Sequence, residues 1–565
     1  MLRTTDDRFL RKAMAARLLW VLLQSFLFAT LVVHASSGYA ATSVPMQKPA
    51  AGVAALIEEA TSLLKNGRLE EAEAVARKAV ASQPKNTTAR SLLGTILDQK
   101  GEFAAAEKEY REALRLDPTS TSALTNLGVL LGRVGRSEEA ITTFERVLKL
   151  APNHPLATFN LGALYVAKKD YARAVPLLER AAGVPGHMAR SNDLALLVTL
   201  ANAYAHAGRS KDAESLFELI EKRAGDDPRT LFTLGLSAAE ANQYQRAAEL
   251  FTRTAALRPD TYEVLYNLGI ALYNLDRLDE ARAALQRAAT LMPDQPEVFY
   301  RLALVAAAKN ESENALGLLQ RALKLRPSYP EASFMIAEEL VKNDRVARAI
   351  PFYEQAVTEA PGEVIYPIRL GVAHFRGRAY SKADETFRSA LMRFPDSPVL
   401  YYLLGYTLRA EGLYDDALKA FDKSLALSPN NAAALANLGF IAIERGQDKE
   451  AEEFLRRAIA LDKENYPAHY DLGRLLVRLK RYDEALPVLQ RGVTMTKEDP
   501  GVHYQLFITY SRLKRKDEAD RELATFKTLE DARKKAESGM TDKAELPPPK
   551  VGDSAASVKT EKPRR

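Results

Sequence analysis

Apolar residues recur along this chain at helical spacing, and the helical stretches come in pairs. Residues 398–431 show the pattern. Tyr401, Leu404, Gly405 and Leu408 mark one face of a helix over 399–411. Pro398 suits the opening turn, where a proline gives up no intrahelical hydrogen bond. Gly412 ends the helix. A second helix over 415–428 turns Ala417, Phe421, Ser424 and Leu425 inward, and Pro429-Asn430-Asn431 makes a turn. So short a connection sets the two helices antiparallel. Gly405 and Ala417 are the expected point of closest approach, and Phe421 is the knob that fills the remaining gap.

The same pattern returns every 34 residues. Prolines stand at 84, 118 and 152, and again at 259, 293, 327, 361, 395 and 429. A small residue recurs at Ala60, Gly94, Gly128, Gly162, Ala201, Gly235, Gly269, Ala303, Ala337, Gly371, Gly405, Gly439 and Gly473, with an alanine 12 residues after each. Phe507 and Ala519 continue the phase, so the count is 14 units. One step, from Gly162 to Ala201, is 39 residues long. The five extra residues fall within 183–193 and predict a loop. One hairpin cannot bury its own apolar face, so the units must stack.

Tyr266-Asn267-Leu268-Gly269 with Ala281, and Thr125-Asn126-Leu127-Gly128 with Ala140, Phe144 and a flanking Pro118 or Pro152, resemble the tetratricopeptide repeat. The resemblance extends over about 54–530. It implies an all-α fold, a right-handed superhelical solenoid of about 14 helix-turn-helix hairpins, with repeats 1–4 over 54–186 and repeats 5–14 over 187–530. It also implies a function in binding other proteins. The ends depart from the pattern. Glu59 stands where most units have leucine, Lys463 and Lys497 replace the turn proline, and Phe507 replaces the small residue, which predicts looser packing of the last hairpin. Asp520 to Glu537 reads as a capping helix, with 531–540 as its end. From 541 to 565, Pro547-Pro548-Pro549 and scattered charges read as a disordered tail.

The resemblance further implies that first helices line a concave groove, with the positions three and two before the small residue facing inward. The first of these gives Phe159, Val198, Phe232, Tyr266, Tyr300, Phe334, Ile368, Tyr402, Ala436, Tyr470 and Tyr504. The second includes Asn126, Asn160, Asn267, Asn437, Arg301 and Arg369. An aromatic ladder beside amides suits an extended peptide, since asparagine can bond a peptide backbone and rings give contact area at low entropic cost. The ordinary reading is that the same rings pack on the next unit. Arg376, Arg409, Arg474, Arg478 and Arg512 add a basic lane, which Glu444 and Asp471 partly neutralise. The family's clamp for C-terminal carboxylates needs lysine at the ladder position. None is there, so that activity is set aside.

Composition narrows the rest. The chain has 565 residues, is 47% hydrophobic and 27% charged, and has no cysteine. Disulfides, thiolate metal sites and an acylated-cysteine anchor are therefore excluded. The net charge is +6, but residues 1–40 hold five basic and two acidic groups, so the remainder carries +3 and offers no case for nucleic acid. The N-terminus is basic to Arg17, apolar from Leu18 to Val33, then small-residue rich to Ala41. That order predicts a signal peptide over 1–40, cleaved after Ala40, followed by a linker over 41–53. The alternative is an uncleaved anchor whose only membrane contact is 18–33. Either way the repeats lie outside the cytoplasm, in the periplasm or beyond.

No chemistry emerges from the motifs. The seven histidines form no His-Glu-x-x-His helix, and no phosphate-binding or nucleophile-elbow loop occurs. The expectation is a non-catalytic scaffold of the cell envelope, without cofactor or metal, that binds a protein or peptide. The alternative is a component guiding an anionic polysaccharide in an export machinery.

Overall fold

The computed structural model describes residues 51–183, 191 and 193–541. Among them are 28 helices and no strand, paired as 14 hairpins. The N-terminal segment 1–40, most of the insertion and the tail beyond Thr541 lie outside the described residues. The first helix, Ala51–Lys65, begins within the stretch read as a linker and buries Val53. The chain divides into two compact units, Met1–Leu325 with hairpins 1–8 and Arg326–Arg565 with hairpins 9–14.

Hairpin 11 is built as its sequence dictates. Its helices are Pro398–Ala410 and Tyr414–Leu427. Ser397 caps the first, its hydroxyl accepting from the Leu400 N–H at 3.4 Å. The corner closes through Gly412, whose φ of 78° lets the Leu413 N–H reach back to the Leu408 carbonyl at 2.9 Å. All 14 hairpins turn through this left-handed position, seven residues after the small one. Six use glycine and eight use Lys169, Asn242, Asp276, Asn310, Asp344, Arg378, Lys480 or Lys514.

From hairpin 2 to hairpin 13 the small residue has a large one 16 positions on. A Cβ on Gly128 would lie 2.8 Å from the Phe144 ring, and one on Gly235 would lie 2.7 Å from Phe251. At Gly405 the nearest atoms belong to Phe421, so that ring, rather than Ala417, is what excludes a side chain there. These knobs are fully buried, and with the inward alanines they fill the space between the two helices. In hairpin 14, Phe507 takes the place of glycine and both it and Leu523 stay half-buried.

Within each unit the second helix of a hairpin packs on the first helix of the next, and successive first helices also touch. Charged side chains bridge the same joints. Arg136 reaches Glu107 at 2.8 Å in unit 1, and Arg481 reaches Glu452 at 2.6 Å in unit 2. Surface pairs of this kind add little stability each.

Candidate interaction surface

First helices offer one face to their own second helix and another, adjacent face outward. Half the sequence-predicted ladder does not reach that outward face. Tyr266, Tyr300 and Phe334 are 3%, 1% and 1% exposed, because each ring is drawn between neighbouring helices. In unit 1, Tyr266 stacks on Tyr262 at 5.5 Å, and its hydroxyl accepts from the Arg301 Nε at 3.5 Å. Arg301 is itself 4% exposed and is a core residue. In unit 2, Phe334 lies 4.8 Å from Tyr366 and 5.7 Å from Tyr353.

Phe159, Phe232, Tyr402 and Tyr470 are half-buried. Phe232 leans on the knob Phe251 at 5.7 Å, and Tyr402 on Phe421 at 6.0 Å. Only Tyr504, among the ladder aromatics, is exposed, at 42%. The asparagines are also occupied. The side-chain amides of Asn160, Asn267 and Asn437 donate to the carbonyls of Leu156, Glu263 and Ala433, each one turn back. Asn126 donates to the Thr95 hydroxyl at 3.2 Å. Asn267 and Asn437 are buried. Self-bonding of this kind takes up one of the two N–H groups that each amide could offer a peptide backbone.

The arginine lane is mostly paired. Arg376 reaches Asp344 at 3.2 Å, and Arg369 reaches Glu338 at 3.6 Å. Arg474 lies between Glu444 at 3.2 Å and Asp471 at 3.4 Å. Arg478 pairs with Asp448 and donates to the Ile443 carbonyl at 3.2 Å. Asp471 is buried, and burial pushes its carboxyl up to about 6 against the pull of Arg474 and Arg409. It holds the place that asparagine holds in hairpin 12.

Arg409 is different. Its guanidinium lies 5.0 Å from the Tyr406 ring centre and 4.6 Å from that of Phe440 on the next hairpin. Arg474 approaches the same Phe440 ring at 5.6 Å. Tyr406 in turn meets Phe375 of the preceding hairpin at 5.2 Å. Phe375, Tyr406, Arg409, Phe440 and Arg474 thus form a continuous stack across the first helices of hairpins 10 to 13. Every member is partly exposed. Cation–π attraction links Tyr406, Arg409, Phe440 and Arg474, and Phe375 joins them through ring contact with Tyr406. Both arginines are expected from the sequence, and the three rings are not. They stand one and four residues after the small position, and the i, i+3 spacing of Tyr406 and Arg409 was the available signal.

The equivalent histidines His469 and His503 are both buried, and the His503 Nδ1 meets the Glu522 carboxylate at 2.6 Å. Each Nε2 lies near the carbonyl of the turn lysine six residues earlier, at 3.2 Å from Lys463 and 3.3 Å from Lys497. Among the described residues, no group of three or more His, Asp or Glu side chains is placed to hold a metal ion. No helix among them is long and apolar enough to cross a membrane.

The repeat is also recognisable against known proteins. One tetratricopeptide repeat family model matches residues 57–121, 232–296 and 300–364, a second matches 119–184 and 396–464, and a third matches 165–230 and 449–503. Together they cover well over half of the sequence. The chain is a tetratricopeptide repeat protein. Several solved structures are similar to this tetratricopeptide array. The complex of Cut9 with Hcn1 is 14% identical, covers 81% of this chain and 96% of that one, and gives a TM-score of 0.34. Yeast Tom70 is 17% identical, covering 79% and 96%, with a TM-score of 0.33. A tetratricopeptide repeat protein from Parabacteroides merdae is 18% identical, covering 45% and 99%, with a TM-score of 0.36. No curated protein matches. Membership of the tetratricopeptide repeat family rests on the repeat matches.

Proposed function

We propose that this tetratricopeptide array is a non-catalytic scaffold that binds a protein or an extended peptide on the outward face of its first helices. The observation that carries the reading is the half-exposed stack from Phe375 to Arg474. Aromatic and arginine side chains are the residue types that dominate protein interfaces, and these are already fixed in place before a partner arrives. An open face of this kind offers contact area and no enclosed pocket for a reaction. The second reading, an anionic polysaccharide as ligand, is disfavoured by the carboxylates that already neutralise Arg376, Arg474 and Arg478.

The proposal includes export, directed by residues 1–40 as read from their sequence. Trp20 is the single tryptophan, so a mature protein cleaved after Ala40 shows no tryptophan emission.

The test is capture of partners from envelope extract by the full chain. Phe440→Ala and Arg409→Ala should each lower capture tenfold or more, while Lys419→Ala and Arg457→Ala, on exposed second-helix positions, leave it unchanged. Equal capture by all four variants would sink the assignment of this face. Turnover of a substrate by the purified protein would overturn the non-catalytic reading. Acidic glycan retained by the array, and lost on charge reversal at Arg376 and Arg478, would favour the polysaccharide.

A further inference from the structure

The last two hairpins form an open cleft of about 600 Å³. Its walls are Tyr470 on helix Tyr466–Arg478, the turn Glu498-Asp499-Pro500-Gly501, Tyr504 on helix Pro500–Arg512, and Phe526 on the long final helix Lys516–Thr541. Three features make it more than a gap. First, it holds the exposed ring of Tyr504, which lies 5.2 Å from Phe526 and 6.2 Å from Phe507. Phe507 and Phe526 back the ring on two sides and leave the rest of it open. Second, Gly501 lets the wall close in. A Cβ there would stand 2.8 Å from the Tyr470 hydroxyl, so any larger residue would push that ring out of place. Third, the cleft is lined by three carboxylates, Glu498, Asp499 and Glu530, against one guanidinium, Arg533.

The carboxylates are not equally engaged. Asp499 caps its helix, one oxygen accepting from the Gly501 N–H at 2.7 Å. Glu530 is paired with Arg533 at 2.7 Å. Glu498 is exposed and has no ion pair among the described residues. π-faces with an excess of negative charge beside them attract cations, and most strongly those that are poorly hydrated.

We propose that this cleft receives a cationic side chain, an arginine or lysine of a bound peptide, between Tyr504 and Tyr470 with Glu498 as its counter-charge. The inference rests on the scaffold reading for its biological sense and gives one end of the array a chemical preference. Arg533 at the rim is an internal cation and competes for the same negative field.

The test uses the full chain and three probes of matched size: N-acetyl-arginine methylamide, N-acetyl-lysine methylamide and the neutral N-acetyl-norleucine methylamide. Binding is read by NMR on protein carrying 3-fluorotyrosine, with the Tyr504 signal assigned from a Tyr504→Phe variant. Both cations should shift that signal saturably, and the neutral probe should not. Glu498→Gln and Tyr504→Leu should weaken cation binding at least fivefold, the latter read from probe line broadening. Arg533→Ala should strengthen it, since it removes the one guanidinium of the lining and frees Glu530. Equal binding of the norleucine probe, or cation binding unchanged by both weakening substitutions, would overturn the proposal. A chain that captures its partner through Phe440 yet ignores the cations loses the cleft and keeps the scaffold. One that binds the cations and captures nothing does the reverse.

Discussion

The Cβ that Gly405 lacks would stand 2.9 Å from the ring of Phe421, too close for two carbon atoms to share the space. The two helices of hairpin 11 therefore approach more closely here than a side chain at 405 would allow. Gly405→Ala should therefore push the ring outward and cost about 1–3 kcal/mol, as overpacking does. Phe421→Leu placed on top of it should recover part of the loss. Hydrogen-exchange protection of Pro398–Ala410 and Tyr414–Leu427 would report it, because an array opens locally before it opens globally. Equal destabilisation by the single and the double variant would show that the contact is not what limits the site.

The corners carry a separate cost. Arg378, Lys480 and Lys514 sit at φ near 60°, where Gly412 and Gly446 do the same work without a Cβ. A non-glycine residue there is strained by about 1–2 kcal/mol, and part of that is recovered against the extra freedom glycine has when unfolded. Lys480→Gly should stabilise its hairpin by roughly 0.5–1 kcal/mol, while Gly412→Lys should weaken hairpin 11 by a similar amount. A shift in urea midpoint of the wrong sign for either would contradict this.

Asp471 makes unit 2 sensitive to pH in an unusual direction. Its folded carboxyl is raised to about 6 from an ordinary 3.8. Between these values the folded state holds a proton that the unfolded chain has released, so stability falls as pH rises from about 4 to about 6 and levels off above. The shift corresponds to roughly 3 kcal/mol. Asp471→Asn removes the titration. Relative to the parent, the variant should gain stability between pH 4 and pH 7.5 by an amount of that order. Denaturation at the two pH values measures it, and a difference that does not change with pH would dismiss the effect.

Buried and outward rings should separate cleanly. Tyr300→Ala empties a fully buried site and should cost about 3–5 kcal/mol. Phe440 is half-buried, so Phe440→Ala should cost on the order of 1 kcal/mol while removing the centre of the stack. Thermal unfolding and partner capture, measured on both, should rank the two substitutions in opposite orders.

The fold was legible because packing repeats. Gly128, Phe144 and Ala140 recur at fixed spacing wherever two helices must touch, so position in the sequence reports position in the hairpin. The interaction face was less legible for the same reason. Tyr266 and Tyr504 hold equivalent places, yet one is drawn into the core beside Arg301 and the other stands open, since what covers each depends on the neighbour and not on the repeat. Asn160, Asn267 and Asn437 looked like backbone readers, but a side-chain amide on a helix can bond its own carbonyl one turn back, and spacing alone does not tell the two apart. Phe440 was passed over because its role comes from Arg409 on the preceding hairpin and Arg474 on the following one.

The joints between hairpins have a mechanical consequence. Arg136 meets Glu107, and Arg481 meets Glu452, across a separation of 29 residues in each case. Within each unit, then, these ion pairs tie a repeat to its neighbour. A pull along either unit loads these joints in series. The array yields one hairpin at a time, each releasing on the order of 120 Å of slack as its 34 residues straighten, and the same hairpins re-form from whichever neighbour is still folded. Such a chain lengthens in steps like a ratchet strap.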